Sequence, residues 1–248
     1  MVYNQTVFRR KWFSNKVVTG FRSSDAVALT FDDGPDPQFT PMVLEILKKH
    51  GASATFFVLG RQAELYPYIL RQILEAGSEV ANHSYSHPSF SLLSIPQKIA
   101  ELKHSERAIG KAGKRFFRPP FGHASDRTPL WASLLGYTTV CWSADARDWE
   151  VTEPSTIMEL LEANVKPGAI TLLHDRAETA TDARYFGREA MLAGLDAFLE
   201  KRNSWSFNTL TKMFSSYEAV LEDWDTSLDE EQRQRRKQEF LALKRNGS

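Results

Sequence analysis

Residues 25–60 read DAVALTFDDGPDPQFTPMVLEILKKHGASATFFVLG. Ala26–Thr30 is a short apolar run with the pattern of a buried strand. Pro41–His50 places Val43, Ile46 and Leu47 at helical spacing and stops at Gly51, so it reads as a helix. Ser53–Val58 is the next strand. The alternation continues outward. Gln62–Ala76 is a helix ending at Gly77, and Glu79–Asn82 is a brief strand. Ser94 with Gln97 caps a helix running to about Gly110, with Pro96 in its first turn. Arg115–Phe117 is a strand, Pro129–Leu135 a helix stopped by Gly136, and Thr138–Trp142 a β-branched strand. Pro154–Asn164 (helix), Ala169–Leu173 (strand), Gly187–Lys201 (helix) and Trp205–Asn208 (strand) complete the series. Strands alternating with helices in this way run parallel and are joined by right-handed crossovers. Seven or so units predict an α/β fold, a (β/α)7–8 barrel that stops short of full closure.

The chain has 248 residues, a length that suits one α/β domain with appendages. Hydrophobic residues make up 42% and charged residues 25%, which excludes wholesale disorder and rod-like folds. Lysine and arginine balance aspartate and glutamate at 31 each, so the total charge argues for no nucleic-acid or anionic-membrane partner. Cys141 is the single cysteine and cannot form an internal disulfide. No apolar run approaches the ~18 residues of a spanning helix, and no signal peptide is visible at the start, so localisation stays open. Three regions are expected: a basic, solvated N-terminal arm over 1–24, a catalytic body over 25–215, and a charged, helical C-terminal extension over 216–248. The arm holds Arg9, Arg10, Lys11, Lys16 and Arg22 and no acid. The extension carries a capping box at Ser227 and Glu230, with Asp229–Arg233 and Glu231–Arg235 as acid-before-base pairs.

In a barrel of this kind functional side chains collect at the C-terminal ends of the strands. The first strand is followed by Asp32-Asp33-Gly34-Pro35, two neighbouring carboxylates at a turn. One can bind a cation while the other stays free as a base, although Asp-Gly-Pro is also ordinary turn chemistry. The third is followed by His83 and His87, four apart, a spacing used for zinc. Arg118-Pro119-Pro120-Phe121 makes a stiff loop after the fourth. Asp145, Asp148 and Trp149 follow the fifth, and His174 ends the sixth. Four of the six histidines, His83, His87, His123 and His174, fall in strand-end loops.

Together the motifs TFDDGP (30–35), H-S-x-x-H (83–87), R-x-P-F (118–121), D-x-x-D-W (145–149) and L-x-H (172–174) resemble those of the polysaccharide deacetylase family, also known as carbohydrate esterase family four or the NodB-homology domain. The resemblance covers roughly Asp25 to Asn208. It implies an incomplete, distorted barrel that removes acetyl groups from a carbohydrate substrate such as chitin, peptidoglycan or xylan. It also implies one divalent ion, with Zn²⁺ favoured and Co²⁺, Ni²⁺ or Fe²⁺ as alternatives. By position, Asp33, His83 and His87 resemble the metal ligands, Asp32 the catalytic base and His174 the catalytic acid. Arg118 resembles the residue that orients the base, and Asp145 the one that tunes the acid histidine. Phe121 stands where the family usually has tyrosine, and the resemblance implies that its backbone N–H helps hold the oxyanion. Trp149 and Leu172 resemble walls of the acetyl pocket. Members of the family often act outside the cell or at the wall. The competing readings are an O-acetyl esterase, a sugar deformylase, a small cyclic-amide hydrolase and a catalytically silent carbohydrate-binding relative. Oligomeric state is not readable.

Overall fold

The computed structural model of the chain describes residues 15–124, 127–180 and 182–224. In chain order its first half holds β1 (Val17–Arg22), β2 (Ala26–Ala28), β3 (Thr30–Asp32), α1 (Phe39–Lys49), β4 (Thr55–Val58), α2 (Gly60–Leu65), α3 (Pro67–Glu75), β5 (Glu79–Asn82) and α4 (Ile95–Ile109). The second half holds β6 (Phe116–Phe117), α5 (Thr128–Leu134), β7 (Thr138–Thr139), β8 (Ala144–Asp145), α6 (Pro154–Asn164), β9 (Thr171–His174), α7 (Glu189–Lys201), β10 (Ser206–Asn208), α8 (Leu210–Ser216) and β11 (Glu218–Glu222). Seven strands form one parallel sheet in the order β7-β6-β5-β4-β3-β9-β8. With its helices this curled sheet is a distorted, incomplete (β/α) barrel. No helix among the described residues is long and apolar enough to cross a membrane.

Period-two alternation sorts the strand side chains into two cores. Phe31, Phe56 and Val80 pack with Val43, Leu47, Ile73, Leu161 and Phe198, mostly from the covering helices. Phe57, Ala81, Ala28 and Ile170 point the other way and pack with Val18, Val140, Leu210 and Met213. The second core is closed by α8. The Leu210 N–H donates to Thr55 Oγ1 at 2.9 Å and the Thr211 N–H to the buried Glu79 carboxylate at 3.0 Å. The α4 cap forms as the sequence predicts, with the Ser94 N–H donating to Gln97 Oε1 at 2.9 Å. Gly110 ends that helix at φ 76°, which glycine adopts without a Cβ clash.

Three expectations change. Gln62–Ala76 is two helices, because Pro67 forces Tyr66 out of the helical region to φ −128°, ψ 54°. Val17–Arg22 is not part of a solvated arm. It is β1, with Val17 and Val18 fully buried, and it pairs antiparallel with β11. Val18 bridges Val140 and Gly20 bridges Ala169, so this strand fills the seam between the two ends of the curled sheet. Counting charge over the first 24 residues averaged a basic stretch with an apolar strand and concealed the strand. The C-terminal extension likewise opens on a strand, β11. Its expected helix, the capping box at Ser227 and the pairs at Asp229–Arg233 and Glu231–Arg235 lie outside the described residues, as do Arg9, Arg10 and Lys11.

Candidate active site

Parallel pairing sets the side chains that matter at one level. Asp32, the last residue of β3, stands opposite His174, the last residue of β9. Asp33 follows in the left-handed region at φ 76°, and Gly34 behind it packs so closely on Asp175 that a Cβ there would overlap the carboxylate. Asp175 is fully buried; burial and the nearby Asp36 and Asp33 outweigh its hydrogen bond from Thr40 and push its carboxyl up to about 7.

Asp33, His83 and His87 converge, with one candidate ligand atom from each inside a span of 4.8 Å. Asp33 Oδ1 lies 3.4 Å from His83 Nε2 and 3.2 Å from His87 Nε2, yet it is buried and accepts no hydrogen bond. His83 donates its Nδ1–H to the Arg118 carbonyl at 2.8 Å, which leaves the Nε2 lone pair facing Asp33. Burial alone would raise the Asp33 carboxyl, but His87 and His83 hold it well below the usual carboxylate range. Burial also pushes the His87 imidazole down, toward the neutral form that ligates. A tetrahedral zinc set with ~2.0–2.1 Å bonds separates its ligand atoms by about 3.3 Å. The contacts here match that spacing, and Asp33 Oδ1 accepts no hydrogen bond, so these residues fit a single divalent cation.

Asp32 lies beside this cluster, its Oδ2 3.8 Å from His83 Nε2. Its other oxygen accepts from Arg118 Nη1 at 2.7 Å. Arg118 is wholly buried and spans the barrel interior, donating also to Thr30 Oγ1 at 2.8 Å, the Cys141 carbonyl at 3.1 Å and the Val140 carbonyl at 3.3 Å. Its guanidinium lies over the Phe57 ring, 4.2 Å from the centroid. A lysine ammonium cannot reach both sides of this fork. Arg118→Lys is therefore expected to lose about 1–3 kcal/mol of stability, read from the urea unfolding midpoint, because buried acceptors lose their donors.

His174 occupies the opposite flank. Its Nδ1 lies 2.9 Å from Asp148 Oδ1, and its backbone N–H donates to Asp148 Oδ2 at 2.9 Å. Arg188, itself buried, approaches Asp148 Oδ2 at 3.5 Å and donates to the Asp148 carbonyl at 3.0 Å. Burial opposes the imidazolium, but Asp148, Asp33 and Asp32 outweigh it and carry His174 from 6.5 up to about 9. Asp145, expected to tune His174, makes no hydrogen bond to it; Asp148 does. Asp145 Oδ1 accepts from the Arg147 N–H at 2.7 Å, burial raises its carboxyl, and Asp148 makes the contact. Asp145 belongs to β8, and the turn at Arg147, with φ 51°, re-aims the chain so that the acid three residues later faces the histidine. Because the His174 value is raised on folding, its charged contact stabilises the fold fully below about 6.5 and ceases to as pH rises through about 9. Asp148→Asn should bring the His174 titration in the metal-free protein down, followed by the NMR shift of its Cε1 proton. An unmoved titration would remove Asp148 from this role.

A cavity of about 400 Å³ opens over these groups. Asp32, Asp33, His83, His87, Phe121, Asp145, Trp149, Leu172 and His174 all line it, while Arg118 lies beneath. Phe121 is left-handed at φ 60°, ψ 11°, and its ring meets His87 at 4.6 Å. Trp149 is half exposed at the rim and Leu172 is buried in the wall. Trp142 also lines the cavity. Two contributors, Arg188 and Glu178, come from the loop over residues 176–188, for which the sequence offers no motif. Glu178 donates its N–H to Asp33 Oδ2 at 3.3 Å, and its carboxylate is held by Arg61 and Arg176. Nothing in the order of residues 176–180 signals that contact.

The family model described as polysaccharide deacetylase matches residues 20–140. A peptidoglycan-N-acetylglucosamine deacetylase of Bacillus cereus is 38% identical over 151 residues, 60% of this chain and 55% of that protein. A chitooligosaccharide deacetylase of Sinorhizobium fredii is 40% identical over 154 residues, 60% of this chain and 72% of that one. The matched part of the chain thus spans little more than half of the first relative. The crystal structure of the Bc1960 peptidoglycan N-acetylglucosamine deacetylase in complex with 4-naphthalen-1-yl-N-oxidanyl-benzamide superposes with a TM-score of 0.73 at 31% identity, over 84% of this chain and 96% of that chain.

Proposed function

The chain belongs to the polysaccharide deacetylase family, and from that premise we propose that it is a metal-dependent hydrolase removing N-acetyl groups from a glycan that contains N-acetylglucosamine, with release of acetate. The observation that carries this reading is the pairing of Asp32 with His174 across β3 and β9, on two flanks of the Asp33, His83 and His87 cluster, each with its own oppositely charged partner. Chitooligosaccharide and peptidoglycan are the substrates named for the relatives, and both offer that amide.

Asp33, His83 and His87 would hold the cation, zinc before cobalt, nickel or iron by the character of the donors. Bound there, it supplies Lewis-acid polarisation of a carbonyl and lowers the pKa of a water. Asp32, fixed by Arg118, accepts a proton from the attacking water through the carboxylate oxygen that Arg118 does not occupy. The Phe121 amide is the proposed donor to the developing oxyanion, a role that needs no phenol at this position. His174, kept cationic by Asp148, donates its Nε2 proton to the departing amine. Trp149 and Trp142 give the rim flat apolar faces suited to sugar rings, and Leu172 gives the acetyl methyl an apolar wall.

The test is acetate release by the zinc-loaded full chain from N-acetylchitooligosaccharide, peptidoglycan and acetylated xylan. Release from the first or second substrate is expected. Turnover confined to the xylan would replace the amide by an ester substrate. Retained zinc without acetate from any of the three would make the protein a silent binder.

A further inference from the structure

The neutral total charge conceals a local excess. Residues 103–115 read KHSERAIGKAGKR and hold five bases, Lys103, Arg107, Lys111, Lys114 and Arg115, against one acid, Glu106. These side chains line a cavity of about 540 Å³ on the flank of the barrel. Lys103, Arg107 and Lys111 recur every four residues, so they share one face of α4 and the turn that follows it. Lys114 and Arg115 join them from the entry to β6, and Tyr137, which precedes β7, completes the wall. Glu106 is engaged by Arg115 at 2.7 Å, and the Arg115 guanidinium lies 5.2 Å from the centre of the Tyr137 ring. Lys103, Arg107, Lys111 and Lys114 are exposed and have no ion-pair partner among the described residues.

The negative end of the α4 dipole accounts for a base in its last turn, such as Arg107. It does not account for Lys103, about one turn earlier, nor for Lys114 and Arg115, which come from another element. Several like charges converging on one concave surface repel one another unless an anion joins them. The cavity is bounded by the residues that enter β6 and β7, whereas the acid–base pair stands where β3 and β9 end. Asn82, the last residue of β5, also lines it, but the cavity shares no lining residue with the one over the acid–base pair and is separate from it. Lys114 also borders a second cavity of about 350 Å³, shared with Lys212, which extends the positive surface.

We propose that this basic cavity is a binding site for a ligand carrying more than one phosphate group. Three lysine ammoniums and two arginine guanidiniums supply charge-assisted donors of the kind that phosphate oxygens take, and the volume exceeds what a single phosphate fills. The proposal does not rest on the deacetylase reading.

The experiment is calorimetric titration of the zinc-loaded full chain with inorganic pyrophosphate and, separately, with long-chain inorganic polyphosphate, each at low and at high salt. Both arms are compared with the Lys111→Glu/Lys114→Glu double variant and the milder Arg107→Gln/Lys111→Gln variant. Circular dichroism checks the fold of each. The expected result is binding that weakens with salt, falls about tenfold or more in the reversal variant and less in the neutralised one, with acetate release unchanged. Tighter binding of the polymer would identify a polymeric source, and comparable binding of pyrophosphate a small one. Equal affinity in all three proteins would overturn the site. So would binding that disappears when zinc is removed and that blocks acetate release, since it would belong to the metal cluster.

Discussion

Asp32→Asn is expected to lower the turnover of acetate release by about 10²–10⁴-fold while the protein stays folded and keeps its metal, because the amide cannot accept the proton that general-base catalysis requires. The structure makes this a clean substitution. The substituted amide would keep an oxygen for Arg118 Nη1, now 2.7 Å from Asp32, so the buried guanidinium retains an acceptor even though it loses the counter-charge. The cluster of Asp33, His83 and His87 does not use Asp32, whose Oδ2 lies 3.8 Å from His83 Nε2. Zinc content by atomic absorption and KM should therefore change little while kcat collapses. His174→Ala should act on the same order through the leaving group, and the double variant should lose less than the product of the two, since the groups serve one reaction coordinate. Turnover near normal in Asp32→Asn would reassign the base.

Asp33→Ala is expected to cost about 10²-fold or more in zinc affinity, since loss even of a group that merely orients a ligand costs 10–100-fold, and to reduce acetate release to background. Asp33 supplies the only carboxylate of the set, and its Oδ1 is the atom on which both imidazoles converge. Its removal leaves two neutral donors and no anionic one. The folded state should lose some stability in the metal-free protein, because the Glu178 N–H loses its acceptor and His87 and His83 lose the carboxylate beside them. Competition against a chromogenic chelator measures the affinity, and thermal unfolding with and without zinc separates the two effects. Unchanged zinc affinity in this variant would remove Asp33 as a ligand and the cluster with it.

The sequence alone determined the kinds of chemistry present and the order in which they occur. Neighbouring carboxylates at 32 and 33, imidazoles four apart at 83 and 87, and an arginine before two prolines at 118 are properties of short segments. Periodicity carries the strand–helix alternation, because burial of one face repeats with the period of the element. A Gly–Pro turn after a strand then places the carboxylates at the mouth. Only the tertiary structure decided which groups meet. Asp145 and Asp148 are equally plausible partners for His174 along the chain. The turn at Arg147, not any spacing, aims Asp148 at the ring and brings in Arg188 from forty residues away. Likewise β1 follows a basic stretch. Its identity as a strand depends on hydrogen bonds with Cys141 and Gly168 and on pairing with β11, which lie far along the chain. Local sequence fixes the conformation of a segment through its own backbone and burial pattern. Contacts between segments are set by how the whole sheet curls and where its ends are joined, and that information is spread over the chain.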